Sequence, residues 1–555
     1  MLRPSVCTRA LVGLLVVVTA AFGVAWATGR SDAPTLVTDR VLGRTPGDAQ
    51  VDLSLALELP GRARLQTFLR DVNRPGSASF GDYVSAEAFG RRFGLSVRSL
   101  DALERSLADA GLAVTKSYPQ RTSLNVSGSA RAVERFFDVE LMDHVNERGD
   151  RYHAPVSDPK VPSSIDDSVL SVAGLDNEPP PPPVTADIAS TDGLRPEDLE
   201  QLYNIEGLHD AGIDGEGVTV AIFTLYTYNE SDVQAFDERY GIEGAPPVER
   251  VAVNGGTEET HAEDALDIQT VRAIAPMAEI LNYEAPPEGA GFGEIVANIM
   301  DQIVAEGRTD IVSISYGVSH TLPYLHPEDW VRGEQALAAA AAQGINTFVA
   351  SGDDGAFDCE AFDVTDHRIC VSWPGDSEHV ISVGGTLVAQ REDGRLLREW
   401  GWQDELSRSG TGGGINPESA RPDYQTGPGV DNEDSTGNRQ LPDVAGPGDP
   451  DSGYAVVYEG KVSAVGGTSG STPFWAGVTA LITERARQEG IDDIGLLNPI
   501  LYALGRSDTP PFFDVVHGGN RHHPATPGWD YATGWGSPNV AELTRDVVDY
   551  LQQNR

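Results

Sequence analysis

Positive charge is what this sequence has least of. Across 555 residues, 40 Lys and Arg stand against 84 Asp and Glu, a formal net charge of −44 spread along the chain rather than gathered in one tail. Such a polyanion is a poor partner for nucleic acid or an anionic membrane surface. In acid, near about pH 4, many of those carboxyls lose their charge and the self-repulsion falls with it. No internal repeat is present, which sets aside repeat architectures. Cysteine is scarce too, with three residues in all: Cys7, Cys359 and Cys370. The chain is too long for one small domain, and its 40% hydrophobic content is enough for sizeable cores, so two or more folded units are expected.

The N-terminus has a basic start, an apolar run from Ala10 to Ala27, and small residues in Ala25-Trp26-Ala27. This reads as a secretory signal over residues 1–27, cleaved after about Ala27. An uncleaved membrane anchor is the alternative. Cys7 would leave with the signal, and in an exported chain Cys359 and Cys370 are close enough in sequence to pair; a reduced, buried pair is the other reading.

Residues from about Val51 to Leu175 read as one α/β unit. Leu53, Leu55, Leu57 and Leu59 alternate as in a strand, and helices are expected over Pro60 to Leu69, Ser85 to Phe93, Ser99 to Ala110 and Ala130 to Phe137. Glu178 and five prolines, Pro179 to Pro183, then open a stretch without apolar periodicity. It reads as an exposed linker over 178–193. After Leu194 strand and helix patterns alternate. Strands at Val218 to Phe223, Glu279 to Tyr283, Asp310 to Ser315, Ile345 to Ala350 and Val380 to Val383 predict a parallel sheet covered on both faces, with functional loops at its carboxyl ends. The Gly- and Pro-rich region Ser409 to Pro450 reads as long irregular surface loops.

Chemistry concentrates in three places. In Val465-Gly-Gly-Thr-Ser-Gly-Ser-Thr-Pro-Phe-Trp-Ala-Gly477, a glycine turn runs into an apolar helix. Ser469 therefore meets unpaired backbone N–H groups and the positive end of a helix dipole, which suits a nucleophile whose attack creates an oxyanion. A plain N-cap at Thr468 or Ser469 is the bland alternative. In His261-Ala-Glu-Asp-Ala-Leu-Asp267, Glu263 and Asp267 are one helical turn apart, so both carboxyls fall on one face. Adjacent carboxyls share a proton and can exchange it with a hydroxyl in acid. A solvated acidic surface is the alternative there, and His261 is a rival base. In Thr347-Phe-Val-Ala-Ser-Gly-Asp-Asp-Gly355, a buried strand ends in aspartates, and a protonated carboxyl at that place can donate to an oxyanion.

Glu-x-x-x-Asp, Ser-Gly-Asp and Gly-Gly-Thr-Ser-x-Ser-x-Pro, in that order, resemble the sedolisin family of serine-carboxyl peptidases, as do Val312-Ser-Ile-Ser-Tyr-Gly317, Val383-Gly-Gly-Thr386 and Pro442-Asp-Val-Ala445. The segment before the linker is similar to that family's activation propeptide, notably at Arg121 to Gly128 and Val133 to Phe137. The resemblance implies an α/β architecture: a ferredoxin-like propeptide at 45–177 before a subtilisin-like parallel sheet flanked by helices at 194–555. It implies Ser469 as nucleophile, Glu263 as base and acid, Asp267 orienting Glu263, and Asp353 as oxyanion partner, with Asp354 second. Protein or oligopeptide substrates and the chain's own propeptide as inhibitor follow from the same resemblance, and a secreted location from the signal reading of residues 1–27. Subtilisins share the Gly-Thr-Ser-x-x-x-Pro element but would need an aspartate on the first strand and a His-Gly-x-His helix. Here Thr224-Leu-Tyr-Thr-Tyr-Asn229 lacks the first and the second is absent. Near the C-terminus the resemblance implies one Ca²⁺, held by the carboxylates of Asp514 and Asp530 and the carbonyls of Val515, Thr526 and Gly528. His517, His522 and His523 read as surface histidines rather than a transition-metal site.

Overall fold

The leucines at alternate positions of Gln50–Leu57 put Leu53, Leu55 and Leu57 on one face of a strand, and that strand is the centre of the N-terminal unit. The computed structural model describes residues 40–554 except 147, 181–187, 190–192, 320–326, 362–364 and 392. The apolar run at 1–27 and most of the expected linker therefore lie outside the described residues. The N-terminal sheet is antiparallel, in the order Leu112–Ser117, Ser123–Ser129, Gln50–Leu57, Val169–Ala173. Helix Val97–Ala110 links the first strand in sequence to the second, and helix Ala130–Phe137 follows the third. This is the β-α-β-β-α-β order of a ferredoxin-like fold. Serine caps open both helices: Ser96 accepts from Ser99 N and Ser129 from Ala132 N. A small second sheet joins Arg40–Arg44, Leu141–Val145 and Arg151–Pro155; the sequence places a strand near Glu140 to His144, and its two partners were not apparent from periodicity.

The C-terminal unit is built on an eight-stranded sheet. Its order is Glu249–Ala252, Glu279–Glu284, Thr219–Thr224, Ile311–Ile314, Asn346–Ala350, Ile381–Gln390 and Leu396–Gly401, with Val444–Pro447 pairing alongside Ile381–Gln390. All neighbours are parallel except the pair ending in Leu396–Gly401. Strand alternation divides the core between the two faces. Val220 and Ile222 pack on helices Ala262–Ile274 and Thr468–Gln488, whereas Ala221 and Phe223 face helices Phe292–Glu306 and Pro327–Ala342.

One expectation is corrected. Residues 409–450 are not simply irregular: Gly414–Ala420 pairs with Asn438–Leu441, and Val444–Pro447 is buried inside the main sheet. Its glycine and proline disguise a strand that lies beside the close-packed Val383-Gly-Gly-Thr386, where Gly385 approaches Gly448 too closely for a side chain.

The two units meet on the face of helices Phe292–Glu306 and Pro327–Ala342. Asp301, 1% exposed, pairs with the equally buried Arg332 at 3.2 Å. From the N-terminal unit it accepts hydrogen bonds from Gln120 Nε2 at 3.1 Å, Thr122 Oγ1 at 3.0 Å and Ser123 Oγ. A buried carboxylate is tolerated only when paired and hydrogen-bonded, so the N-terminal unit completes the solvation of a charge belonging to its neighbour. Ser123→Ala with Thr122→Val should lower the unfolding free energy of a Ser469→Ala full-length chain by about 2–4 kcal/mol, at roughly 1.5–3 per bond to a charged group with incomplete additivity. Denaturant titration measures it; a change below about 0.5 kcal/mol would show that this contact does not hold the units together.

Candidate active site

The nucleophile helix begins where the sequence turns from glycine to serine. Gly467 is its N-cap at φ 104°, with no side-chain cap, and Thr468–Gln488 follows. Ser469 is thus within the first turn, where N–H groups lack intrahelical acceptors. The plain N-cap reading of Thr468 or Ser469 does not hold, because neither side chain caps the helix. Thr468 instead holds Asp353: its N–H and its hydroxyl both reach Asp353 Oδ1, at 2.8 and 2.7 Å. The residue before the candidate nucleophile thereby fixes the candidate oxyanion partner.

Helix Ala262–Ile274 brings its carboxyls in from the opposite side. His261 is its N-cap, and His261 Nδ1 accepts from Glu263 N at 3.2 Å. The imidazole stacks on Tyr226 with ring centroids 4.9 Å apart, and burial lowers its pKa. The rival base is therefore occupied in capping. Glu263 is 4% exposed and Asp267 fully buried, so a solvated acidic surface is excluded. The Ser469 hydroxyl lies close enough to the Glu263 carboxyl to lower its pKa, while it donates its hydrogen bond to the Ser315 carbonyl at 3.2 Å. Burial raises the Glu263 pKa to about 8, with Asp353 and Asp264 adding to the shift and the Ser469 hydroxyl opposing it. Burial, then the neighbouring Glu263, holds Asp267 well above the ordinary carboxyl range. The pair therefore retains a proton far past the usual carboxyl range.

Three contributors escaped sequence reasoning. Ser315 donates to Asp267 Oδ1 at 2.7 Å while its carbonyl faces Ser469 Oγ, so it bridges the orienting carboxyl and the nucleophile. Its motif was visible, but nothing in it marked one serine over the other. Thr468 carries Asp353 as described above. Asp264 is buried beside Glu263 and accepts from Thr224 Oγ1 at 2.5 Å. Asp354, the second oxyanion candidate, is raised to about 8 by burial and then by Asp358, but Thr468 engages Asp353. Cys359 and Cys370 are joined by a disulfide with a Cα separation of 6.0 Å, closing the loop that follows Asp353.

The implied calcium ligands share one loop region. Asp514 accepts from Gly528 N at 3.2 and 3.1 Å. Asp530 accepts from Thr526 N at 2.8 Å and from the amides of Ala532 and Thr533. Burial raises Asp530 to about 7. The carbonyls of Val515, Thr526 and Gly528 accept no hydrogen bond among the described residues. Two carboxylates and three spare carbonyls are an oxygen donor set that suits a hard cation. Among the described residues no three His, Cys, Asp or Glu side chains converge as a metal site, and His523 instead packs on His522 and Tyr531.

Residues 40–178 match the pro-kumamolisin activation domain, and residues 225–495 the subtilase family. Kumamolisin of Bacillus sp. (strain MN-32) is 32% identical over 569 residues, covering 94% of this chain and 96% of that protein. The chain belongs to the sedolisin family of serine-carboxyl peptidases. Among other members, sedolisin of Pseudomonas sp. (strain 101) is 26% identical, across 95% of this chain and 90% of that one. Human tripeptidyl-peptidase 1 is 26% identical, across 92% and 93%. The solved structure of Pseudomonas sedolisin (serine-carboxyl proteinase) complexed with two molecules of pseudo-iodotyrostatin superposes with a TM-score of 0.56 at 24% identity. It covers 66% of this chain and 100% of that one, a likeness of fold. This family member is thus a serine-type peptidase with an N-terminal activation domain.

In this sedolisin-family chain, a Cβ at Gly467 would lie 2.7 Å from Asp353 Oδ2, at a φ that disfavours side chains. Gly467→Ala should displace Asp353 and cut kcat by about 100-fold or more, the usual scale for a lost oxyanion donor. Steady-state kinetics on peptide substrates, with circular dichroism to verify the fold, test this; a folded variant within about threefold of wild type contradicts the arrangement.

Proposed function

We propose that this chain is a secreted proenzyme that hydrolyses peptide bonds in acid with carboxyl groups handling the proton. The observation that carries this is the Glu263 carboxyl at the Ser469 hydroxyl, with Asp267 tied through Ser315 to the same place. Glu263 takes the hydroxyl proton as Ser469 Oγ attacks the scissile carbonyl, and Asp267 orients it. Protonated Asp353 donates to the oxyanion, and Glu263 returns the proton to the leaving amine. Water then hydrolyses the acyl-enzyme by the same steps in reverse. The 45–177 unit would occupy the cleft until the linker at 178–193 is cut, and residues 1–27 would direct export before removal.

The full-length chain, prepared at neutral pH and then acidified, should release a fragment whose new N-terminus lies between about residues 175 and 194. The product should cleave a denatured protein faster at pH 4 than at pH 7 by at least about tenfold. Ser469→Ala and Glu263→Gln should abolish turnover while His261→Ala retains it; the reverse pattern for the last two would establish an imidazole base. Peptide sequencing from the same digest separates endopeptidase from tripeptidyl-peptidase action.

The oxygen donors of the C-terminal loop fit calcium. Asp514 and Asp530 would supply its charge and Val515, Thr526 and Gly528 its carbonyls. A bound divalent cation would favour the ionised form of Asp530, which burial alone opposes. Removing calcium with a chelator should lower the thermal midpoint by roughly 4 °C or more, a scale set by about 2 kcal/mol of linkage. Asp514→Asn should make that midpoint insensitive to added calcium; an unchanged calcium response would place the ion elsewhere.

A further inference from the structure

Thr468 grips the side chain of Asp353, but the main chain that carries this residue is held from elsewhere. Asp353 O accepts from Gly410 N at 2.7 Å, and Gly355 N donates to Gly410 O at 2.8 Å. Ala356 N donates to Asn520 O at 2.9 Å, while Ala356 O accepts from Cys370 N at 3.0 Å. These partners are all main-chain groups, which a substitution leaves in place. Asp354 O differs: besides Phe357 N at 3.2 Å, it accepts from a side chain, Arg521 Nη1, at 2.9 Å. A point substitution can remove that support from the oxyanion segment.

The Arg521 side chain is 7% exposed and its guanidinium joins three segments. Nη1 also donates to Arg408 O at 2.8 Å, in the turn between strands Gln403–Asp404 and Ser409–Gly410, and Nη2 donates to Glu360 Oε2 at 2.8 Å. Its Cζ lies 5.2 Å from the centre of the Phe357 ring. Gly355 comes so close, at φ 66°, that a Cβ there would be 2.4 Å from Asn520 O. Arg521 itself has φ 70°, in the left-handed region that a long side chain seldom occupies. Such strain persists only where the surroundings hold it, and it gathers at functional sites. Glu360, also buried, has its other oxygen, Oε1, 2.5 Å from His367 Nδ1. Hydrogen bonds to both oxygens favour its charged form. It follows Cys359, whose disulfide to Cys370 closes the same loop. Arg521 therefore fastens the chain after Asp353 at two points, directly at Asp354 and through Glu360 at the start of the disulfide loop.

We propose that Arg521, paired with Glu360, is a positioning residue for the oxyanion step: by holding the main chain of residues 354–360 it sets where the Asp353 carboxyl stands. The proposal rests on Asp353 being the oxyanion partner. Thr468 fixes one oxygen of that carboxyl, and the backbone behind it fixes the direction from which the carboxyl meets the developing charge. A displacement of about 1 Å in such a group can cost about 100-fold in rate. The planar fork is what the place requires, because one guanidinium reaches a carbonyl on each side and a carboxylate at once, which an ammonium on a flexible stem does not reproduce.

The test is a double-mutant cycle on the matured enzyme. Arg521→Gln should lower kcat about tenfold or more with KM within about threefold of wild type, because the contact acts in the transition state and not in substrate binding. Affinity for a peptide aldehyde, whose adduct oxygen meets Asp353, should fall by about the same factor as kcat/KM. Arg521→Lys, which keeps the charge without the fork, should stay at least about threefold below wild type. In an Asp353→Ala background, Arg521→Gln should cost less than about twofold, since no carboxyl is left to position; a merely structural support would cost the same factor in both backgrounds. Glu360→Gln should lower kcat about fivefold in the same pattern, and it carries the test if Arg521→Gln does not fold. A rate within about twofold of wild type, a raised KM at unchanged kcat, or an equal loss in both backgrounds overturns the proposal. A fully active Asp353→Ala enzyme overturns the oxyanion assignment and this proposal together, whereas an Asp353→Ala enzyme slowed about 100-fold beside an unimpaired Arg521→Gln enzyme overturns this proposal alone.

Discussion

The structure depends on keeping carboxyl groups out of water beside a serine hydroxyl. Glu263 and Asp267 are buried on the first turns of a helix packed against the nucleophile helix, and their surroundings favour the protonated form. Everything near them serves to hold that arrangement in place. His261 caps the carboxyl helix, Ser315 ties Asp267 to the Ser469 backbone, and Thr468 grips Asp353. In an imidazole-based peptidase the base is selected by its pKa near neutrality; here selection comes from burial and from like charges in contact.

The same economy of charge appears where the two units join. Asp301 and Arg332 are a buried pair in the catalytic unit, and the remaining donors to Asp301 come from Gln120, Thr122 and Ser123 of the activation domain. Loss of that domain would return a buried carboxylate to water. With 84 acidic residues in the chain, acid both neutralises its surface and favours the protonated cluster at the site. The catalytic unit is therefore built around carboxyls whose charge is costly unless a specific partner is supplied, and the activation domain supplies part of that partnership at Asp301.

Much of this was legible in the sequence because it rests on period and spacing. The Glu263–Asp267 separation already placed both acids on one helix face, and the glycine-to-helix transition at Gly467 placed Ser469 in a first turn. Helix Ala130–Phe137 was readable to the residue because Ser129 and the Phe136-Phe137 end bracket it. The hidden parts depend on contacts between distant segments. Ser315 and Thr224 look like ordinary strand-end residues until the sheet aligns them with the carboxyl helix. Strand Val444–Pro447 was hidden by its glycine and proline; it pairs with Ile381–Gln390, and its Gly446 lies tight against Phe474 of the nucleophile helix. Asp264 carried no signal, because an acid in a first helical turn is ordinarily a solvated one.

The central claim is that acidic side chains, not an imidazole, exchange the proton of Ser469. A crystal structure of the matured enzyme with a peptide aldehyde added covalently to Ser469 Oγ tests it most directly. The account predicts the adduct oxygen at about 2.7–3.1 Å from an Asp353 carboxyl oxygen and a Glu263 oxygen within hydrogen-bonding distance of Oγ. A histidine nitrogen in place of Glu263, or an adduct oxygen turned away from Asp353, would contradict it.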